Sequence, residues 1–258
     1  MKNFRKILLV LVMVLSFVFV ASCDNNKHEH EYVDGKCECG ETDPNYVAPI
    51  DQLANQMEEL KTASATINCP MAMELKLTMG TESQTQKMSA DMYIELDPTS
   101  TYSITTAEGE KQYTYAVTQG EYVKEYVKLE EEWILADTVS VNDYSSNIDL
   151  YDIDVKESFT LVDGIWIGDT VLLSQVLKSS MDEIATELGG LDGVTIDETT
   201  IKKYNITVEN GKISLIDIEM YMKMSYQGMI MEISYAMPMN LSKIGETTVT
   251  VPEGLPVE

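Results

Sequence analysis

Both histidines of the chain and two of its four cysteines fall within one short run, His28-Glu-His30-Glu-Tyr-Val-Asp-Gly-Lys-Cys37-Glu-Cys39. Imidazole together with thiolate is a zinc ligand set. Asp34-Gly35 is a two-residue hairpin signal, and it sets Val33 opposite Lys36, Tyr32 opposite Cys37 and His30 opposite Cys39. Side chains alternate across a strand, so His28, His30, Cys37 and Cys39 project from one face of that hairpin. His28 falls opposite Glu41, two pairs away from Cys39, so the hairpin must curl for four ligands to meet on a structural zinc. Two other readings stand beside this one. Disulfide chemistry suits an oxidising compartment, although a Cys37–Cys39 bond closes a small, strained ring and Cys69 offers another partner. The third reading is a polar spacer.

The segment that delivers this cluster is an export signal. Met1 to Lys6 is basic, Ile7 to Val20 is almost wholly apolar, and Val20-Ala21-Ser22-Cys23 follows, which is the order of a secretory leader. The apolar stretch is shorter than the ~20 residues a spanning helix needs. Val-Ala-Ser-Cys resembles the bacterial lipobox. That resemblance implies a lipoprotein signal peptide over 1–22, with cleavage before Cys23. Covalent diacylglycerol and acyl chains on Cys23 would then hold the body outside the cytoplasm on the cell membrane, each buried methylene contributing ~0.8 kcal/mol. Residues 23–49 become a tether. The stretch His28, His30, Tyr32, Gly35, Cys37, Cys39, Gly40 resembles short zinc-ribbon-like tags near the anchor of some Gram-positive lipoproteins, with Cys-x-Cys where Cys-x-x-Cys is usual. The resemblance implies zinc as a structural cofactor.

Charge excludes several partners. The 258 residues carry 18 Lys and Arg against 43 Asp and Glu, a formal charge of −25. Losing Lys2, Arg5 and Lys6 with the leader takes −25 to −28, and Arg5 is the only arginine. Nucleic acid is not a partner, because neutralising phosphates takes clustered cations. No guanidinium clamp for phosphate or carboxylate exists in the mature chain. Catalysis finds no support either. Both mature histidines lie in the tether, so no Ser-His-Asp triad can form in the body. No nucleophile elbow, phosphate loop or dinucleotide fingerprint is present. The acids are too many to nominate a pair and read as a solvated surface. At 44% hydrophobic residues the chain has enough apolar material for a core, and 50–258 reads as one domain.

Within that domain, Leu53, Met57 and Leu60 recur at helical spacing over Ile50 to Ala65. Pro70 separates this helix from the alternation of Met71, Met73, Leu75, Leu77 and Met79. Alternating segments joined by Gly- and Pro-containing turns continue to Leu135 and predict an antiparallel meander. Ala136 to Ser158 is Asp- and Ser-rich and reads as irregular or shortly helical. Asp169-Thr170 starts a second helix, carrying Leu173, Val176 or Leu177, Met181, Ile184 and Leu188 and ending at Gly189-Gly190. Ile201 to Val208, Ile213 to Met224, Met229 to Met239 and Thr247 to Val251 complete the sheet, with Asn210-Gly211 as a hairpin turn. The expected fold is α+β, a strongly curved antiparallel sheet (a half-barrel of about 8–10 strands) covered by two main helices.

The order of signal, Cys23, helix, meander, second helix and C-terminal strands is similar to that of LolA- and LppX-type half-barrel lipoprotein carriers. The resemblance implies a lipid-like ligand between sheet and helices. Of 16 methionines, 12 lie in strand segments. Methionine suits an adaptable apolar surface better than a tightly specified core. The residues expected to line the cavity are Met73, Leu75, Met92, Ile94, Leu177, Met222, Met224 and Met231. A Cu(I) reading of the Met-x-Met spacing fits less well, since the methionines continue a period-2 stripe instead of lying in loops. The rival to a carrier is a cell-envelope interaction module with a filled core, whose acidic surface meets an envelope protein partner.

Overall fold

The computed structural model describes residues 32–37, 39, 41–141, 153–187 and 194–256. The leader, Cys23, His28 and His30 lie outside the described residues. The chain divides into two units, 1–48 and 49–258.

In the first unit, β1 (Tyr32–Val33) and β2 (Lys36–Cys37) pair as Tyr32↔Cys37 and Val33↔Lys36. Asp34 and Gly35 turn the hairpin with φ of 49° and 76°, which is left-handed backbone at both central positions, as a tight hairpin turn demands. Gly35 is needed for a second reason. A Cβ there would stand 2.3 Å from the Tyr46 ring.

The second unit opens with α1 (Pro49–Leu60). Proline opens it at low cost, because its missing N–H falls where a helix leaves donors unused. Its buried residues are Leu53, Met57 and Leu60. Six strands follow as a meander: β3 (Ala65–Met79), β4 (Glu82–Asp97), β5 (Ser100–Ala107), β6 (Glu110–Gln119), β7 (Tyr122–Leu129) and β8 (Glu132–Ser140). A short α2 (Val155–Ser158) is capped by the Asp154 side chain. Then come β9 (Phe159–Val162), β10 (Ile165–Gly168), α3 (Thr170–Glu187), β11 (Val194–Glu209), β12 (Lys212–Tyr226) and β13 (Met229–Ser242). In α3 the Asp169 carboxylate accepts from the backbone N–H of Val171 and Leu172, satisfying donors the helix start leaves open.

The main sheet has 11 strands in the order β8-β7-β6-β5-β4-β3-β13-β12-β11-β10-β9. Every neighbouring pair is antiparallel. It is open, with β8 and β9 as its edges.

Three sequence expectations are corrected here. The strand count is 11 rather than 8–10, because Phe159–Val162 and Ile165–Gly168 form a further hairpin around Asp163-Gly164. The third strand does not begin after Pro70 but runs through it from Ala65. Thr247 to Val251 is not a strand but an irregular extended tail.

Pro70 is tolerated in a central strand for a local reason. The β13–β3 register runs from Met229↔Met79 to Ala236↔Ala72, breaks, and resumes at Asn240↔Asn68. That register puts Pro238 directly opposite Pro70. A proline has no N–H to give the ladder, and here two such residues share one gap. On their other sides both remain paired, Pro70 with Asp91 and Pro238 with Asp217.

The core lies on one face of the sheet. Leu53, Met57 and Leu60 of α1 join Ile67 and Cys69 of β3, Ile216 and Ile218 of β12 and Leu241 of β13. Leu173 and Leu177 of α3 join the same cluster with Ile201 and Tyr204, and Phe159 meets the Tyr204 ring edge-on at 5.2 Å. Gly168 lets α3 approach, since a Cβ would stand 2.7 Å from Leu173 Cδ1 and 2.8 Å from the Tyr204 carbonyl.

The opposite face carries a second, aromatic cluster. Thr66, Glu95, Tyr102, Tyr115, Tyr126 and Leu135 are successive register partners across β3 to β8. The tail after β13 lies along this row. Thr247 Oγ1 is 2.9 Å from Thr66 Oγ1, and the Thr250 N–H donates to Glu95 Oε2 at 2.8 Å. Val249 is buried with Tyr115 and Tyr126, and Leu255 packs against the same cluster.

Burial pushes the Glu95 carboxyl up, but the bonds from Thr250 and Tyr93 and the charge of Lys243 outweigh it and hold the group below its ordinary value. A carboxyl whose folded value is depressed stabilises the fold above its unfolded value, and that contribution is lost as pH falls through the folded one. The tail is therefore expected to stay docked at neutral pH and to loosen below the usual glutamate range of ~4.3. Hydrogen-exchange protection of the Thr250 amide reads this directly. Protection equal at neutral pH and at about pH 3, or unchanged in Glu95→Ala, removes Glu95 from the role.

Candidate ligand-binding face

Parity decides which face each side chain joins. On β3 the odd residues share the core face with the even residues of β4, as Cys69↔Met92 and Met73↔Met88 show. They share it also with the odd residues of β13 (Met73↔Tyr235, Leu75↔Ile233, Leu77↔Met231). These in turn oppose the even residues of β12 (Tyr235↔Met220, Ile233↔Met222, Met231↔Met224). All twelve strand methionines therefore stand on the core face, and none on the other.

Burial falls along this face. On β3, Ala65, Ile67 and Cys69 are buried, Met71 to Leu77 are half-buried, and Met79 is 68% exposed. On β12, Ile216 and Ile218 are fully buried, while Met220, Met222 and Met224 are half-buried. On β13, Leu241 is buried, and Met229 to Met239 are half-buried. One end of the sheet thus meets α1 and α3, and toward the β3–β4 and β12–β13 turns the apolar wall is less covered.

The eight residues singled out from sequence sort along this gradient. Leu177 is buried in the core cluster. Met92 and Ile94 are half-buried and pack against it. Met73, Leu75, Met222, Met224 and Met231 form neighbouring register rows on the half-buried part of the same face. The residues expected to line the cavity did not include Leu77, Met220, Ile233 and Tyr235, which complete those rows. Their parity was readable from the alternation, but the strand that each one opposes was not.

Elsewhere the surface is polar or small in scale. A groove of about 440 Å³ lies over the middle of β4, β3, β13 and β12, lined by the outer-face residues Ala72, Glu74, Lys87, Ser89, Glu219 and Ala236 and also by Met73, Met88, Met220 and Tyr235 of the core-face rows. Of its charged residues, Lys87 pairs with Glu74 at 3.0 Å, Glu219 lies 3.7 Å from Lys203, and Lys202 Nζ stands 4.9 Å from the centre of the Tyr221 ring. Lys76 bonds Glu232 at 2.6 Å, and Tyr221 donates to Glu232 at 2.9 Å. Burial, then the bond to Glu232, raises the Tyr221 hydroxyl to about 12. A second hollow of about 340 Å³ lies between the end of α1 and the β11–β12 turn, lined by Gln56, Leu60, Lys212 and Ile244 among others. Cys69 is buried, and burial pushes its thiol up, away from nucleophilic character.

In the first unit, β2 ends at Cys37, so Cys39 does not extend the hairpin strand as the sequence suggested. It lies in a turn closed by the Cys37 N–H to the Glu41 carbonyl at 2.8 Å, with Thr42 bridging back to Lys36. Neither Cys37 nor Cys39 is in a disulfide. A side-chain hydrogen bond with Cys39 is the main cause raising the Cys37 thiol. Among the described residues, no group of three His, Cys, Asp or Glu converges as a metal site.

No protein-family model matches the chain, and a comparison with curated proteins found no match. Among solved structures, the crystal structure of a DUF1329 family protein from Desulfovibrio piger is similar at 12% identity, over 79% of this chain and 93% of that one, with a TM-score of 0.26. At that score the likeness carries no inference. What the fold establishes is an open, antiparallel 11-stranded sheet with a few helices, in which β3, β12 and β13 are apolar on one face and polar on the other.

Truncation should follow the burial gradient. Ile216→Ala empties a fully buried position and is expected to cost ~2–5 kcal/mol of unfolding free energy. Met222→Ala, on the same strand and face, should cost well under half as much. Urea unfolding of both variants measures the difference, and equal losses would mean the methionine rows are ordinary core.

Proposed function

We propose that this chain is a membrane-tethered, extracytoplasmic binding protein that takes up an apolar, lipid-like ligand on the methionine face. The observation that carries the reading is the placement of all twelve strand methionines on one face, with most of them beyond the buried core cluster. The main sheet bends over this face as a half-barrel of the LolA/LppX kind, and α1 and α3 cover one end of it. Apolar surface removed from water supplies the driving force, at ~25 cal/mol per Å². Thioether side chains adapt to the shape of the guest at little cost. The chain acts as a binder and not as an enzyme.

Acyl chains on Cys23 fix the protein to the cell membrane. In the tether, the adjacent Cys37 and Cys39 thiols fit two positions of a structural zinc site, and His28 and His30 would supply the others. Two thiolates and two imidazoles make a closed tetrahedral set that holds the tether folded without any catalytic position.

Native mass spectrometry of the full chain, purified in a mild detergent, tests the main reading. A co-purifying apolar molecule, removed by delipidation and restored by added fatty acid, is expected. A chain that is empty as isolated and takes up no fatty acid points to the envelope interaction module instead. For the tether, metal analysis of the full chain should find about one zinc, lost in Cys37→Ser/Cys39→Ser. Fully titratable thiols in a native, metal-free preparation that also binds no added zinc would end that part of the proposal.

A further inference from the structure

Of the twelve methionines of the core face, Met79 is exposed at a turn and the other eleven divide into two groups. Met71, Met92, Met220, Met237 and Met239 pack against the buried cluster, where a flexible side chain fills irregular gaps. Met73, Met88, Met222, Met224, Met229 and Met231 belong to neither buried cluster. They stand half-buried, so gap filling does not explain them.

A wall that had only to be apolar would be served by leucine and isoleucine, whose rotamers are better defined. Those residues do occur in the same rows, at Leu75, Leu77 and Ile233. Thioether sulfur nevertheless recurs at the positions beside them. Toward a saturated chain, sulfur offers little that a methylene does not. Toward an aromatic or conjugated ring it offers a specific polarisable contact. Two tyrosines on the same face, Tyr226 and Tyr235, oppose Met229, Met220 and Met73 in the register, and their rings can meet a planar guest in offset or edge-on arrangements.

We infer that the guest of this face carries an aromatic or conjugated ring system, and that Met222, Met224 and Met231 are the residues that select it over a saturated chain of equal size. This inference rests on the apolar-ligand reading above. Met224 and Met231 are direct register partners, and Met222 opposes Ile233 one row away, so the three thioethers surround one patch reaching across two strands.

The test compares two fatty acids of equal carbon count and identical headgroup, stearate and 12-phenyldodecanoate, by displacement of a fluorescent fatty acid from the full chain. Their shared carboxylate cancels the effect of the acidic protein. The wild-type protein is set against the triple variant Met222→Leu/Met224→Leu/Met231→Leu. Leucine for methionine conserves volume, so the fold should hold, and thermal unfolding checks that it does. The expected result is a roughly tenfold loss of the phenyl acid's relative affinity in the variant, as three sulfur–ring contacts would give, with stearate binding within about twofold of wild type. An unchanged ratio of affinities overturns the inference while leaving the apolar-ligand reading intact. Failure of both acids to bind the wild-type protein overturns the two together.

Discussion

Antiparallel hydrogen bonding with a period of two ties the whole second unit together. Once β3, β13 and β12 are in register, each side chain's parity assigns it to one of two faces, and a slip of one residue would exchange them all. Ile67, Cys69 and Met73 then share a face with Ile216, Met222 and Met231, while Glu74, Lys76 and Glu232 share the other. The ion pairs of the outer face, Lys76 with Glu232 and Lys87 with Glu74, cross strand boundaries. Exposed pairs of this kind contribute little stability, but a shifted register would set like charges together or bury them. The charged face thereby helps to specify the position of the apolar one.

The two faces solve their burial problem differently. The core face is closed at one end by side chains from α1 and α3. The outer face is polar over β3, β13 and β12, but it turns aromatic over β5, β6 and β7, where Tyr102, Tyr115 and Tyr126 align. The chain covers that aromatic row with its own tail through Val249 and Leu255. Tyr115 and Tyr126 lie with ring centroids 6.3 Å apart, a separation within the range of favourable aromatic pairs. An apolar patch on the charged side is thus occupied locally, while the methionine wall has no comparable strap among the described residues.

Much of this architecture was legible in the sequence, and the failures have physical causes. The alternation from Met71 to Leu135 is strong because each strand is wetted on one side, and its meander is what the fold shows. The Asp169 cap and the Asp34-Gly35 turn were readable because their chemistry is local. The hairpin at Phe159–Val162 and Ile165–Gly168 was overlooked because each strand has only four residues, although Asp163-Gly164 marks its turn. Thr247 to Val251 has strand composition, yet its partner is a row of side chains and not a backbone edge, which no periodicity reveals. For the candidate site, the apolar stripe and its methionines were visible. Which rows oppose one another, and where along each strand burial gives out, depends on pairings far apart in sequence.

Pro70 and Pro238 have a mechanical consequence. At most points in the sheet, neighbouring strands resist being pulled apart through a ladder that must break bond by bond. Between β3 and β13 the two prolines face each other with no amide hydrogen on either, and beside them the Asn240 side chain donates to the Asn68 carbonyl across the joint at 3.2 Å. The joint also divides the N-terminal meander from the C-terminal strands. The ladder is thus interrupted for a few rows on the line between the two halves of the sheet, and the register is the same on both sides of the gap.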